Sequence, residues 1–263
     1  MKTVAKILAL ILCLGLASTA VAGDNSWEEV KEKGVLRIGL DDAFPPMGFR
    51  NDKGELVGFD VDAAEELGDR LGVEIKWQPT AWDGVIHSLN SDKFDCIWNG
   101  MTITEERSQK VDFTKPYIMD GQIAIVCMDN NIIHTFRDLK GKVIGVQQGS
   151  SALEAVEELP AEPAEVKEYE NNPKALLDLD AGRLDAVVVD NVAGRYAIST
   201  RPGKFKTLPG FITKEPFGVA FRQDDDALRK AVQKEIDDMV ADGTMGEISK
   251  KWFGEDITDP EKW

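Results

Sequence analysis

What most restricts the folds open to this chain is an alternation of strand and helix patterns that runs once, stops, and starts again. Residues 35–40 form a short apolar run of buried-strand type. Residues 59–71 place Ala64, Leu67 and Leu71 on one helical face, with Gly72 as a stop. Strand 73–78, helix 82–89 and strand 94–99 complete a β-α-β-α-β unit. Such a unit predicts a mainly parallel sheet covered on both faces. The pattern then resumes with strands at 122–128 and 143–146, a helix over 150–159 and a short strand at 166–169. Asn172-Pro173 has the N-cap and first-turn order of a helix start, and 185–189 is a strong apolar strand. One more strand is expected at 217–221 and a helix over 227–241. Thr244 with Glu247 reads as a capping box for a last helix ending near Gly254. Two similar α/β lobes follow from this reading.

Residues 1–22 have the pattern of a secretory signal peptide: Lys2 and Lys6, an apolar stretch from Ile7 to Leu16, and Ala20-Val21-Ala22 as the cleavage site. The stretch is short for a membrane span. Cys13 follows Leu12 rather than a small residue, so it belongs to the discarded segment and not to a lipoprotein anchor. No later run could cross a membrane, so an exported protein without direct membrane insertion is expected. The formal charge is -16, or -18 without Lys2 and Lys6. A surface of that sign repels nucleic acid and anionic lipid. Cys96 and Cys127 remain, in apolar strands of different lobes, and are expected as two buried free thiols.

Ligands of open α/β sheets bind beyond the carboxyl ends of the strands, and those ends define the candidate site. Asp41 follows the first strand, with Phe44 in a Pro45-Pro46 turn beyond it, and Trp82 follows the second. Asn99, Gly100, Met101 and Thr102 follow the third and lead to Arg107. In the second unit Gln147-Gln148-Gly149-Ser150-Ser151 follows one strand and Asp190 another. Thr104 is a good N-cap ahead of Glu105 and Glu106, which puts Arg107 in a first helical turn. The helix dipole disfavours a cation there. A carboxylate held through two parallel bonds from the guanidinium fork would account for it; a solvated surface arginine is the alternative.

The Gly149-Ser150-Ser151 turn enters a helix, so its N–H groups offer a second anion site. With Arg107 it would clamp one carboxylate from both lobes. Asp190 would take a cation, most economically an α-ammonium, and Phe44 and Trp82 could sandwich the ligand between them. Core packing remains open for either ring, and helix capping for Asp190. Trp98 alternates with Asn99 and belongs to the core. Little else carries chemistry. There is no Gly-x-Ser-x-Gly elbow, no dinucleotide fingerprint and no P-loop lysine, and His87 and His134 lack metal-ligand spacing. No cofactor is expected.

These residues resemble the polar amino-acid family of periplasmic solute-binding proteins that serve ABC importers. The resemblance covers nearly the whole mature chain. It rests on Val35-Leu36-Arg37-Ile38-Gly39, Gly58-Phe59-Asp60-Val61-Asp62, Trp82-Asp83-Gly84-Val85-Ile86 and the stretch Gly100-Met101-Thr102-Ile103-Thr104-Glu105-Glu106-Arg107. It continues through Gly145-Val146-Gln147-Gln148-Gly149-Ser150, Asp185-Ala186-Val187-Val188-Val189-Asp190, and the ending from Ala241-Asp242-Gly243-Thr244 to Trp252-Phe253-Gly254.

The resemblance implies a two-lobed clamp (type II) with crossed hinge strands. Lobe one would span 23–117 and 218–263, lobe two 122–211, with hinges at 118–121 and 212–217. It also implies that Arg107 binds a ligand α-carboxylate with help from Thr102 and the backbone at Ser150, and that Asp190 binds the α-ammonium. Asp41, Phe44, Trp82 and Asn99 would shape the side-chain pocket, with Gln147 and Ser151 beside it. Asn99 and Met47 depart from common relatives. Asp41 suits a hydrogen-bond donor, so glutamine, arginine, lysine or histidine fit better than glutamate. The implied role is capture of a polar L-amino acid by a periplasmic monomer and its delivery to an ABC permease. A dehydratase on the same fold and a sensor domain are the alternatives.

Overall fold

The computed structural model describes residues 23–263; the expected signal peptide lies outside the described residues. Two sheets organise the chain. The first has six strands, ordered Glu74–Pro79, Val35–Leu40, Cys96–Thr102, Glu215–Phe221 and Asp112–Phe113, with Ile118–Asp120 also paired to Glu215–Phe221. The second has five, ordered Glu165–Tyr169, Val143–Gln147, Ala186–Asp190, Gln122–Cys127 and Phe205–Thr207. Each contains three parallel strands and then turns antiparallel: Glu215–Phe221 runs against Cys96–Thr102, and Gln122–Cys127 against Ala186–Asp190. The same strand order in both sheets makes the lobes topological copies.

The two connections between the lobes pair with each other, Asp120 opposite Glu215 and Ile118 opposite Phe217. The strand Glu215–Phe221 therefore returns the chain to the first sheet after the second is complete. Apolar strands explain the cores. All seven residues of Cys96–Thr102 and all five of Ala186–Asp190 are buried. The helix Phe59–Leu71 covers one face with Phe59, Ala63, Ala64 and Leu67. Trp98 is fully buried in this core, on the side of the sheet that Asn99 does not share.

Local chemistry moves three expected features. The helix Asn172–Asp180 is capped by Asn171, whose side chain accepts from Lys174 N at 3.1 Å, and not by Asn172. The last helix, Thr244–Phe253, begins after Gly243 in the left-handed region and has no capping box. The Thr244 hydroxyl instead accepts from an Arg70 terminal nitrogen at 2.9 Å. Cys96 and Cys127 are both free thiols, but Cys127 is only half-buried. A small three-stranded sheet, Ala43–Phe44, Gly48–Arg50 and Leu56–Val57, sits above the first strand and carries Phe44 and Phe49.

Candidate functional site

The carboxyl ends of the two sheets face each other across a cleft. Asp41, Phe44, Trp82, Asn99, Gly100, Thr102 and Arg107 line it from one lobe, and Gln147, Ser150, Ser151 and Asp190 from the other. Met101 is not among them. Its side chain is fully buried in a core cluster with Trp82, Val85, Leu89, Phe94 and Ile97. The preceding residue, Gly100, has φ +55, and a Cβ there would lie 2.9 Å from the Phe44 ring. That close approach lets the Phe44 ring pack onto the strand where it lines the cleft.

Arg107 is 8 % exposed, which removes the solvated-surface alternative. It sits third in the short helix Glu105–Ser108, behind Thr104, whose hydroxyl accepts from Arg107 N at 3.2 Å. One terminal nitrogen donates to Thr102 O at 2.9 Å and the other to Gly149 O of the opposite lobe at 3.0 Å. The Trp82 ring lies 5.8 Å from the guanidinium carbon, so this aromatic both lines the cleft and supports the cation. Burial pushes the guanidinium pKa down, and Asp190, Glu154 and Glu215 pull against that. It remains a cation in any protein setting.

The turn after Val143–Gln147 behaves differently from its sequence reading. Ser150 N donates back to Gln147 O at 3.2 Å, and Ser150 Oγ to the same carbonyl at 2.7 Å. Closing a tight turn uses that N–H, so it does not point outward as a free donor. The helix that follows, Ala152–Glu157, has only six residues. The turn reaches Arg107 through the Gly149 carbonyl instead.

Asp190 stands at the start of the helix Asn191–Thr200 but makes no side-chain capping bond. Its Oδ1 accepts from Gln122 Nε2 at 2.7 Å. No protein donor among the described residues reaches Oδ2. Burial holds this acid well above its ordinary pKa, reinforced by the charges of Asp120 and Glu215. A desolvated carboxylate of this kind gains most from an arriving cation.

At the far wall, Asp41 Oδ2 accepts from Gln147 Nε2 of the other lobe at 2.7 Å, and Oδ1 from Ala43 N at 2.9 Å. Gln147 Oε1 in turn accepts from Asn172 Nδ2 at 3.0 Å, and Asn99 Oδ1 accepts from Asp41 N at 3.0 Å. Burial raises the Asp41 pKa against these donors. Beneath the cleft lies a buried network that the sequence reading did not find. Thr102 and Ser151, one from each lobe, both donate to Glu215 Oε2, at 3.0 and 2.6 Å. Gln122 Nε2 lies 3.2 Å from Ser151 Oγ and from Glu215 Oε2 as well. The available signals were a single polar residue opening each of two apolar strands, Gln122 and Glu215.

Among the described residues no group of three or more His, Cys, Asp or Glu is placed to hold a metal, and no helix is long and apolar enough to cross a membrane. A crossed two-lobed fold closing on a polar cleft defines a clamp for a small solute. The sequence matches the family of bacterial extracellular solute-binding proteins, family 3, over residues 36–255, and the chain belongs to that family. It is 36% identical over 253 residues to an L-cystine-binding protein of Escherichia coli K12, covering 96% of this chain and 95% of that one. It is 35% identical over 266 residues to a histidine-binding periplasmic protein of Salmonella typhimurium, covering 98% and 99%. A solved ABC uptake transporter substrate-binding protein of Streptococcus pneumoniae with bound histidine superposes with a TM-score of 0.85 at 32% identity, covering 90% of this chain and 98% of that one.

Proposed function

We propose that this protein captures a free polar L-amino acid between its lobes and delivers it to an ABC importer. The observation that carries the reading is the opposition, across one cleft, of buried Arg107 and buried Asp190. An α-carboxylate takes the remaining guanidinium hydrogens of Arg107, with the Thr102 and Ser151 hydroxyls below it. An α-ammonium takes Asp190 Oδ2. Phe44 and Trp82 flank the aliphatic part. Charge-assisted bonds contribute about 1.5–3 kcal/mol each, and micromolar affinity needs about 8 kcal/mol. A few such contacts reach that figure.

Residues 118–121 and 212–217 serve as the hinges on which the lobes close, and the ligand favours the closed form because its partners lie on both sides. Asp41 and Gln147 face the ligand side chain, and glutamine or a basic amino acid suits them best. The relatives named for cystine and histidine support an amino-acid ligand over a dehydratase substrate. The protein acts as a periplasmic monomer after loss of residues 1–22, with an ABC permease as its partner.

The test is a thermal-shift screen of the purified protein against the standard amino acids and L-cystine, followed by calorimetry. One or a few polar amino acids should raise the unfolding temperature, and their des-carboxy analogues should not. A screen in which no amino acid shifts the transition ends this reading.

A further inference from the structure

Asp190 occupies the N-cap position of the helix Asn191–Thr200, where an aspartate ordinarily folds its carboxylate onto the first-turn N–H groups. Here it turns to Gln122 and the cleft. The helix start is held from elsewhere. Asp120 Oδ1 accepts from Asn191 Nδ2 at 3.0 Å, and Asp120 Oδ2 accepts from Val192 N at 3.3 Å. Beside it, Asn191 N donates to Gly121 O at 2.9 Å. Asp120 ends the strand Ile118–Asp120 on the first crossing connection, lies opposite Glu215, is buried, and does not line the cleft.

We propose that Asp120 is a positioning residue for ligand capture: by capping the helix from the neighbouring strand it releases the Asp190 carboxylate to meet the ligand cation. This rests on the reading of Asp190 as the ammonium contact. The physical argument is a competition for one acceptor. A buried first-turn N–H left without a partner is costly. With Asp120 gone, Asp190 is the N-cap residue whose side chain can take over Val192 N in the ordinary capping geometry. Taking that role would draw the carboxylate off Gln122 and out of the cleft. Because Asp120 sits on the link between lobes, it also ties the height of this helix to the first lobe.

The experiment is a double-mutant cycle by calorimetry with L-glutamine, L-histidine and L-arginine as probes. For each probe that binds the wild type, Asp120→Ala should raise Kd about tenfold, equivalent to about 1.4 kcal/mol. In an Asp190→Asn background the same substitution should add almost nothing, because the group it positions is already gone. A general loosening of the lobe would add its full factor in both backgrounds. Unchanged affinity in Asp120→Ala, or an equal factor in both backgrounds, overturns the proposal. If circular dichroism shows that Asp120→Ala does not fold, Asn191→Ala removes one bond to Asp120 and leaves its charge. It should raise Kd about threefold with the same dependence on Asp190, and a background-independent or null effect overturns the proposal equally. A wild type that binds none of the probes, nor any other amino acid, defeats the functional reading and this inference together. Binding with an independent Asp120 effect defeats the inference alone.

Discussion

Arg107 is held in place by three kinds of contact before any ligand is considered: two backbone carbonyls, an indole face and a hydroxyl behind its own N–H. The two carbonyl bonds and the indole contact depend on the planar fork, which a lysine ammonium cannot reproduce. Arg107→Lys should therefore weaken amino-acid binding by roughly 10–100-fold despite keeping the charge, the range expected for one charge-assisted contact. Calorimetry returning a wild-type Kd would remove the carboxylate role. Asp41 makes a subtler case, because its two oxygens already serve Ala43 N and Gln147 Nε2. Asp41→Asn should alter which amino acid binds best and leave recognition of the shared α-groups nearly intact. An unaltered ranking in the thermal-shift screen would take Asp41 out of selectivity. Asp60 belongs to stability. It is fully buried beneath Gly100, whose N donates to its Oδ2 at 2.7 Å, and burial pushes its pKa up to about 7. The unfolded value is about 3.9, so the folded state holds a proton that the unfolded state loses between about pH 4 and 7. The sign follows: Asp60 favours the fold in acid, and that contribution fades as pH rises through about 7. Asp60→Asn should flatten the decline of the unfolding temperature between about pH 4 and 7. A slope equal to wild type would show that other groups carry it.

Elements, more than residues, decide how near the lobes can come. The turn at Gly149 has φ +72, and a Cβ there would fall 2.7 Å from Asp83 Cα on the opposite lobe. Gly149→Ala combines left-handed strain of about 1–2 kcal/mol with a backbone clash that exists only when the lobes meet. Its unfolding temperature without ligand should drop modestly, and the ligand-induced rise should shrink for every amino acid alike. A preserved ligand-induced rise would mean that the turn is not a closing contact. Elements with a strong period were legible in the sequence: Val35–Leu40 and Phe59–Leu71 fall where their apolar spacing and the stop at Gly72 place them. The cleft residues were legible for a related reason, since the strand ends of an α/β sheet are set by topology. What stayed hidden depended on competition between nearby groups. Asn171 outcompetes Asn172 as a cap, because Asn172 is turned to Gln147. Ser150 N–H is consumed by its own turn. Met101 turns to the core because it shares a face of its strand with Ile97, four residues earlier, in the same apolar cluster. Gln122 and Glu215 were overlooked because one polar residue in an apolar strand gives no periodic signal, and their meeting depends on a pairing across the whole chain.

At the scale of the whole molecule, the lobes touch both within the cleft and outside it. Within it they meet through Arg107 and Gly149, Asp41 and Gln147, and Thr102 and Ser151. Outside it, Phe49, on the small three-stranded sheet of the first lobe, packs against Tyr196 on the second-lobe helix Asn191–Thr200, with ring centroids 5.5 Å apart and planes tilted by 59°. Phe49 is backed edge-on by Trp252 at 5.9 Å, and Trp252 Nε1 donates to Asp62 Oδ2 at 2.6 Å, which fixes the platform to the first lobe. Neither Phe49 nor Tyr196 lines the cleft. The pair is made only when the lobes are together, so it favours the closed arrangement whatever ligand is bound. An aromatic pair of this geometry contributes about 0.5–1.5 kcal/mol beyond its buried area, which is roughly 2–12-fold in a two-state closing equilibrium. Tyr196→Ala, which also removes the ring's buried area, should raise Kd by one common factor of at least about twofold for every amino acid the protein binds, chiefly through faster release. The ranking of ligands should stay fixed, because the ring lies outside the cleft. Stopped-flow release rates and calorimetry on several amino acids would check it. A factor that differs from ligand to ligand would place Tyr196 in recognition, and no change at all would mean that the cleft alone holds the two halves together.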